Sequence, residues 1–493
     1  MINQVDKAEN PLVMDAVEFT AVGRQLIYRI AAFLNELAQK PVTTGEAPSE
    51  IRAVLGNSDL PLYGESADKI ISEAADLLFN HSLFNGHPKF WGYITSSATP
   101  IGALGDLLAA IVNPNVGAYI LSPMATEIER QTIQWLTEFL GMPKGSSGLF
   151  VSGGNMANFV GFLAARKTKA NWDIRKEGLA GKRMLVYCSK GTHTWIHKAA
   201  DLFGLGTDAI RWINMNKEQQ MDMEMLRETI EKDLANGAYP FMVVGTAGSV
   251  STGSVDDLSA IAEICKTFDL WFHVDGAYGA PAAVLPEYAG IFKGLSEADS
   301  IAMDPHKWLY APLEAGCTLV KDARHLTDAF SFHPVYYNFD GDPEDPAVNY
   351  FDHGLQNSRG FRALKVWMAL RQAGRVGYEQ MIRNDIHLAK YLFDLVSNEV
   401  DLEGVTHAMS ITTFRYVPKW AKGNEDYLNK LNETLLNELQ TGGKVFLSNA
   451  VVEGKYCLRA CLVNFRTTPT DLEDLIKVVL EEGQRIDVSL KQA

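Results

Sequence analysis

The chain has 493 residues, 47% of them apolar and 21% charged. These are ordinary globular values, at a length that exceeds one simple core and predicts two or three packed subdomains. A formal charge of -15 argues against nucleic acid and anionic membrane as partners. Five cysteines, Cys188, Cys265, Cys317, Cys457 and Cys461, are scattered and odd in number, which fits a reducing cytosol better than a disulfide scaffold. The N-terminus lacks a basic-then-apolar signal pattern and no apolar run approaches bilayer length, so a cytoplasmic protein is expected.

In chain order, residues 11–40 carry Phe19, Val22, Leu26, Ile30, Phe33 and Leu37 at helical spacing. A second helix-rich stretch with Ile70, Ile71, Ala74 and Leu77 follows to about residue 80. Residues 1–95 thus read as a helical arm with little core of its own. From about residue 96 to 370, helical patterns alternate with short apolar strands, clearest at 148–152, 184–188, 241–245 and 270–274. Such alternation predicts βαβ units and a mostly parallel sheet. The Gly/Pro-rich stretch 338–346 is expected to be mobile. Residues 371–493 read as an α+β domain: a long helix, strands near 411–417 and 456–464, and a final helix from about Thr470.

Four stretches carry chemistry. Ser152-Gly153-Gly154-Asn155 lies between a strand and a helix, where glycines admit close approach and the helix start presents N–H groups to an anion; from these residues alone a plain tight turn is the favoured reading. His193 and His197 are four apart, yet Thr194 stands where a zinc-hydrolase helix needs glutamate, so no metal site is expected. Leu270 to Val274 forms an apolar run ending at Asp275, the usual place for function in an open α/β sheet. Lys307 follows another apolar run and precedes Trp308; it is either snorkelling to water or held near neutrality as a nucleophilic amine. A strand-end aspartate and a lysine on a later strand-to-loop junction are what pyridoxal phosphate (PLP) needs, the carboxylate for the pyridinium nitrogen and the amine for a Schiff base with the aldehyde.

His273-Val274-Asp275-x-Ala277-Tyr278 followed by Asp304-Pro305-His306-Lys307-Trp308 resembles the group II PLP-dependent amino-acid decarboxylases, the family of aromatic-L-amino-acid, histidine and glutamate decarboxylases. The resemblance implies the PLP-dependent transferase type I (aspartate-aminotransferase-like) α/β fold, and a homodimer whose active site lies near the subunit interface, with the arm on the partner. It implies Lys307 as the Schiff-base lysine, Asp275 at the ring nitrogen, His193 and Ala277 on opposite ring faces, and Gly154 and Asn155 as the phosphate cup. Ser249 and His306 are implied near the cofactor, although a turn serine is an equal reading of Ser249. Tyr336 matches a tyrosine that returns a proton to Cα, and relatives with phenylalanine there tend to make aldehydes. Tyr93, Ile94, Thr95 and Ser96 are implied at the substrate, with the partner's 113–119 loop.

The resemblance also has departures. Asp304 stands where many relatives have asparagine; a second carboxylate beside phosphate is repulsive, so it is expected to point elsewhere or be neutralised. Gly117 lacks the bulky aromatic of aromatic-acid decarboxylases, and Gly360 replaces an arginine; Arg359 faces either an anion or the domain junction. The implied reaction is decarboxylation of an aromatic or bulky L-amino acid to its amine. The alternatives are an acidic substrate, for which no clear basic residue accompanies the 113–115 loop, and aminotransfer or aldehyde formation.

Overall fold

The computed structural model describes residues 10–332 and 347–492. Tyr336 and the 338–346 stretch lie outside them. The first helix, α1 (Ala16–Glu36), begins where the Asp15 carboxylate accepts from the N–H groups of Val17 and Glu18, satisfying two donors that a helix start leaves free. None of its residues is buried. It packs on α3 (Ala67–Asn80), with Phe33 stacked on Phe79 at 4.5 Å, after the short α2 (Pro48–Leu55). Two further helices, α4 (Pro100–Val112) and α5 (Pro123–Phe139), lead into the sheet. Prolines at their first turns cost no hydrogen bond there.

Among the described residues the large sheet has seven strands: β1 (Ser147–Val151), β2 (Met184–Ser189), β3 (Ile210–Ile213), β4 (Tyr239–Thr246), β5 (Trp271–Asp275), β6 (Ser300–Met303) and β7 (Gly316–Val320). Their order is β1-β7-β6-β5-β4-β2-β3. The run from β6 to β3 is parallel and β7 is antiparallel to both its neighbours, which agrees with a mostly parallel sheet. The helix α6 (Gly154–Lys169) crosses from β1 and packs across the sheet on β4 to β7. Of the strands read from apolar runs, β2 and β5 are buried throughout and β4 from Pro240 onward, as two-sided cover requires.

A separate four-stranded antiparallel sheet follows, β8 (Leu402–Ala408), β9 (Ile411–Tyr416), β10 (Ser448–Val452) and β11 (Lys455–Cys461), in the order β10-β11-β9-β8. It has its own core, built with Leu388, Leu392, Leu435 and Leu475 from helices. The long helix Ala363–Asn398 begins earlier than the apolar pattern suggested and is broken at Gly374, φ 65°. It packs against α4 and α5 at one end and against β8 and β9 further on, tying the two sheets together.

Candidate active site

The site forms at the carboxyl edge of the parallel strands, where Thr246, Asp275 and Ala302 lie side by side in register on β4, β5 and β6. Asp275 ends β5 because small residues follow and let the chain turn away. Its Oδ2 accepts from the Trp195 indole N–H at 2.7 Å and its Oδ1 from the Ala277 N–H at 3.2 Å. Behind it, His273 is completely enclosed, and burial pushes its pKa down to about 3. Asn158 donates from Nδ2 to Gly154 O, so its Oδ1 accepts from His273 Nε2 at 2.7 Å. Ser300 Oγ then closes the chain at Nδ1, 2.7 Å away. The neutral imidazole thereby ties the first turn of α6 to β5 and β6.

Lys307 follows β6 through two tight turns, in which Lys307 N–H donates to Asp304 O and Tyr310 N–H to Lys307 O. Tyr310 holds a left-handed φ of 56°, unfavourable for a residue of its size. Its hydroxyl and the Trp308 indole N–H both donate to Asp385 Oδ2, at 2.5 and 2.9 Å. Trp308 also stacks on Tyr278 at 5.1 Å. Burial pushes Asp385 up to about 7.

The Lys307 amine is not held near neutrality. Burial works to lower its pKa, but the Asp304 carboxylate, by charge and hydrogen bond at 2.9 Å, and Asp275 beyond it raise it above the ordinary lysine value. Asp304 therefore does not point elsewhere: it lies in the site, with its charge met by Lys307. His306 accepts on Nδ1 from the Ala315 N–H at 3.0 Å, and burial lowers its pKa. His193 accepts on Nδ1 from the Trp195 N–H at 3.3 Å; burial lowers its pKa against the pull of Asp275.

A cavity of about 580 Å³ gathers Lys307, Asp275, His193, Ala277, His306, Gly154, Asn155, Tyr93, Ile94 and Thr95. Two residues are placed otherwise. Ser249 turns its hydroxyl to Thr252 Oγ1 at 2.8 Å, the turn arrangement, while its neighbours Gly248 and Val250 face the cavity. Ser96 donates to His306 O at 3.0 Å and lines a smaller adjoining cavity. His197 lies against Trp212. Arg359 resolves as a junction residue, paired with Glu129. A Cβ at Gly117 would stand 2.2 Å from Asn357 O, so the missing aromatic is a consequence of close backbone packing.

Sequence reasoning missed four residues here. Trp195 partners Asp275, and Asp385 braces the lysine turn. Thr246 lines the cavity with a buried hydroxyl that has no hydrogen-bond partner. Arg459 reaches the cavity from β11, 4% exposed, with its Nε buried and unpartnered. A charge inside an otherwise apolar strand run was the readable signal for Arg459.

Among the described residues no helix is long and apolar enough to cross a membrane. The pyridoxal-dependent decarboxylase conserved domain matches residues 48–417. An aromatic-L-amino-acid decarboxylase of Bacillus atrophaeus is 31% identical over 97% of this chain and 98% of its own. A phenylacetaldehyde synthase of Arabidopsis thaliana is 29% identical over 95% and 96%. The crystal structure of Oryza sativa TDC with PLP and tryptamine superposes with a TM-score of 0.90 at 26% identity, covering 97% of this chain and all of that one. The fold is thus the type I fold of PLP enzymes. An amine and a carboxylate meeting at the edge of such a sheet, across a chain matched along most of its length, make this protein a member of the pyridoxal-dependent decarboxylase family, a PLP-dependent amino-acid carboxy-lyase.

Proposed function

We propose that this chain decarboxylates an aromatic or bulky L-amino acid to its amine, with Lys307, Asp275, His193 and Tyr336 as the acting residues. The observation that carries this reading is the meeting of the Lys307 amine and the Asp275 carboxylate in one cavity. The aromatic substrates named for the Bacillus relative and the tryptamine in the Oryza structure support the substrate class.

The residues present fit PLP. They offer a half-buried primary amine, a carboxylate on a neighbouring strand, an unpartnered Thr246 hydroxyl, and a helix start with room for no side chain. A Cβ at Gly154 would lie 2.7 Å from Asp304 Oδ2. When bound, the cofactor supplies an electron sink for the pair left at Cα as carbon dioxide departs. In this reading Gly154 and Asn155 offer the first turn of α6 to its phosphate, and His193 and Ala277 hold the ring between them. Asp275 keeps the ring nitrogen protonated by its charge, while Trp195 and the Ala277 N–H keep that carboxylate aimed. Lys307 would hold the cofactor through its amine. Tyr93, Ile94 and Thr95 would wall the substrate and orient its Cα–carboxylate bond, the orientation effect that selects decarboxylation. Tyr336, by sequence resemblance, returns the proton to Cα.

A second reading, an acidic substrate, is supported by Arg459, a cation in the cavity lining whose Nη1 donates to Val250 O and whose buried Nε has no partner. We also infer a homodimer with the site near its interface, in a reducing cytoplasm. Leu104, Leu107, Leu108 and Ile111 leave an apolar face of α4 exposed, and all five cysteines are free and buried. The division at about residues 95 and 370 belongs to the same proposal. Purified protein with PLP and a panel of L-amino acids, read by mass spectrometry, tests the activity. Amine and carbon dioxide from an aromatic acid support it; keto acid or aldehyde, or turnover of acidic substrates alone, would overturn the substrate or bond assignment.

A further inference from the structure

Asp304 is 1% exposed and faces the first turn of α6, with its Oδ2 2.7 Å from the Cβ position of Gly154. That oxygen stands 2.9 Å from Lys307 Nζ and 3.6 Å from His306 Nε2. The other, Oδ1, is buried and has no partner. His193 and the buried Cys317 thiol are the remaining titratable groups that feel its charge. Burial lowers both imidazoles, the stronger effect at each, and raises the thiol. Lys307 is thus the cation that compensates Asp304, and it is the amine the cofactor engages. Around the cavity, Asp304 adds a second carboxylate to Asp275 opposite Lys307 and Arg459, while Glu314 is paired with Arg362. A helix start attracts an anion, but a fixed, buried carboxylate beside it repels one more strongly than it would in water.

We propose that Asp304 is a built-in competitor of the cofactor's phosphate, so that this enzyme holds its cofactor loosely and exchanges it with the free pool. The proposal rests on Gly154 and Asn155 being the phosphate cradle.

The test is titration calorimetry of apoprotein with pyridoxamine 5′-phosphate, which carries the phosphate and forms no covalent bond to Lys307, and with pyridoxamine, which lacks the phosphate. Asp304→Asn should bind the phosphorylated ligand at least tenfold tighter than the parent, with pyridoxamine unchanged. The gain should be larger in a Lys307→Ala background, where Asp304 has lost its cation. Asp304→Ser, smaller and neutral, should act in the same direction should the amide not fold. Equal or weaker binding by the neutral variants, or an equal gain for pyridoxamine, would overturn the proposal while leaving the cradle standing. Binding of pyridoxamine 5′-phosphate to none of the proteins would overturn the cradle and the proposal together.

Discussion

Glu129 of α5 and Arg359 face each other as an ion pair with side chains 0% and 1% exposed. Arg359 also donates to Val116 O at 2.6 Å and Phe150 O at 2.7 Å, and covers the ring of Tyr350. The pair therefore fastens the 113–119 loop to the start of the sheet. Removing one partner strands a buried charge, which costs about 3–5 kcal/mol. Glu129→Ala and Arg359→Ala should each lower the unfolding free energy from urea titration by that order, and a change within error would contradict the pairing.

Trp195→Phe keeps the ring in the core but removes the indole N–H from Asp275. A hydrogen bond to a charged acceptor contributes about 1.5–3 kcal/mol, so cofactor affinity should fall roughly tenfold or more, since 1.4 kcal/mol is tenfold. Spectrophotometric titration of apoprotein with PLP measures this. Unchanged affinity would remove Trp195 from the support of Asp275.

Asp385 gives a pH prediction. Its folded pKa, about 7, lies above its ordinary value of 3.8 because it is buried. Between these values the folded protein keeps a proton that the unfolded chain has released. The contribution is full below about pH 4 and lost as pH rises through about 7. Asp385→Asn, which keeps an acceptor for Trp308 and Tyr310, should thus gain stability relative to the parent on going from pH 5 to pH 8, by a few kcal/mol at most. Thermal unfolding of both proteins at the two pH values measures the difference, and a constant gap would refute it.

Lys307→Ala should show no turnover and no cofactor absorbance in the visible range, and full activity would end the lysine assignment. Tyr336→Phe should divert product from amine toward aldehyde with oxygen uptake. An unchanged amine yield would take Tyr336 out of the proton transfer.

Much of this protein was legible in the chain. Short apolar runs ending in Asp275 and before Lys307 announced buried parallel strands, because two-sided burial leaves no polar alternation. Asp275 at a strand end and Lys307 in a later loop pointed to the cofactor through the resemblance their motifs carry. What the tertiary structure decided is which distant groups meet. Asp275 finds its donor on Trp195, 80 residues earlier, and Trp308 and Tyr310 find Asp385, 77 and 75 residues later. Asp304, expected from sequence to point elsewhere or be neutralised, faces the first turn of α6 with Lys307 as its counter-charge. Local pattern reports whether a side chain is buried and on which face of its own element. The partner it meets there depends on how elements far apart in the chain pack, and packing is settled by the whole core at once.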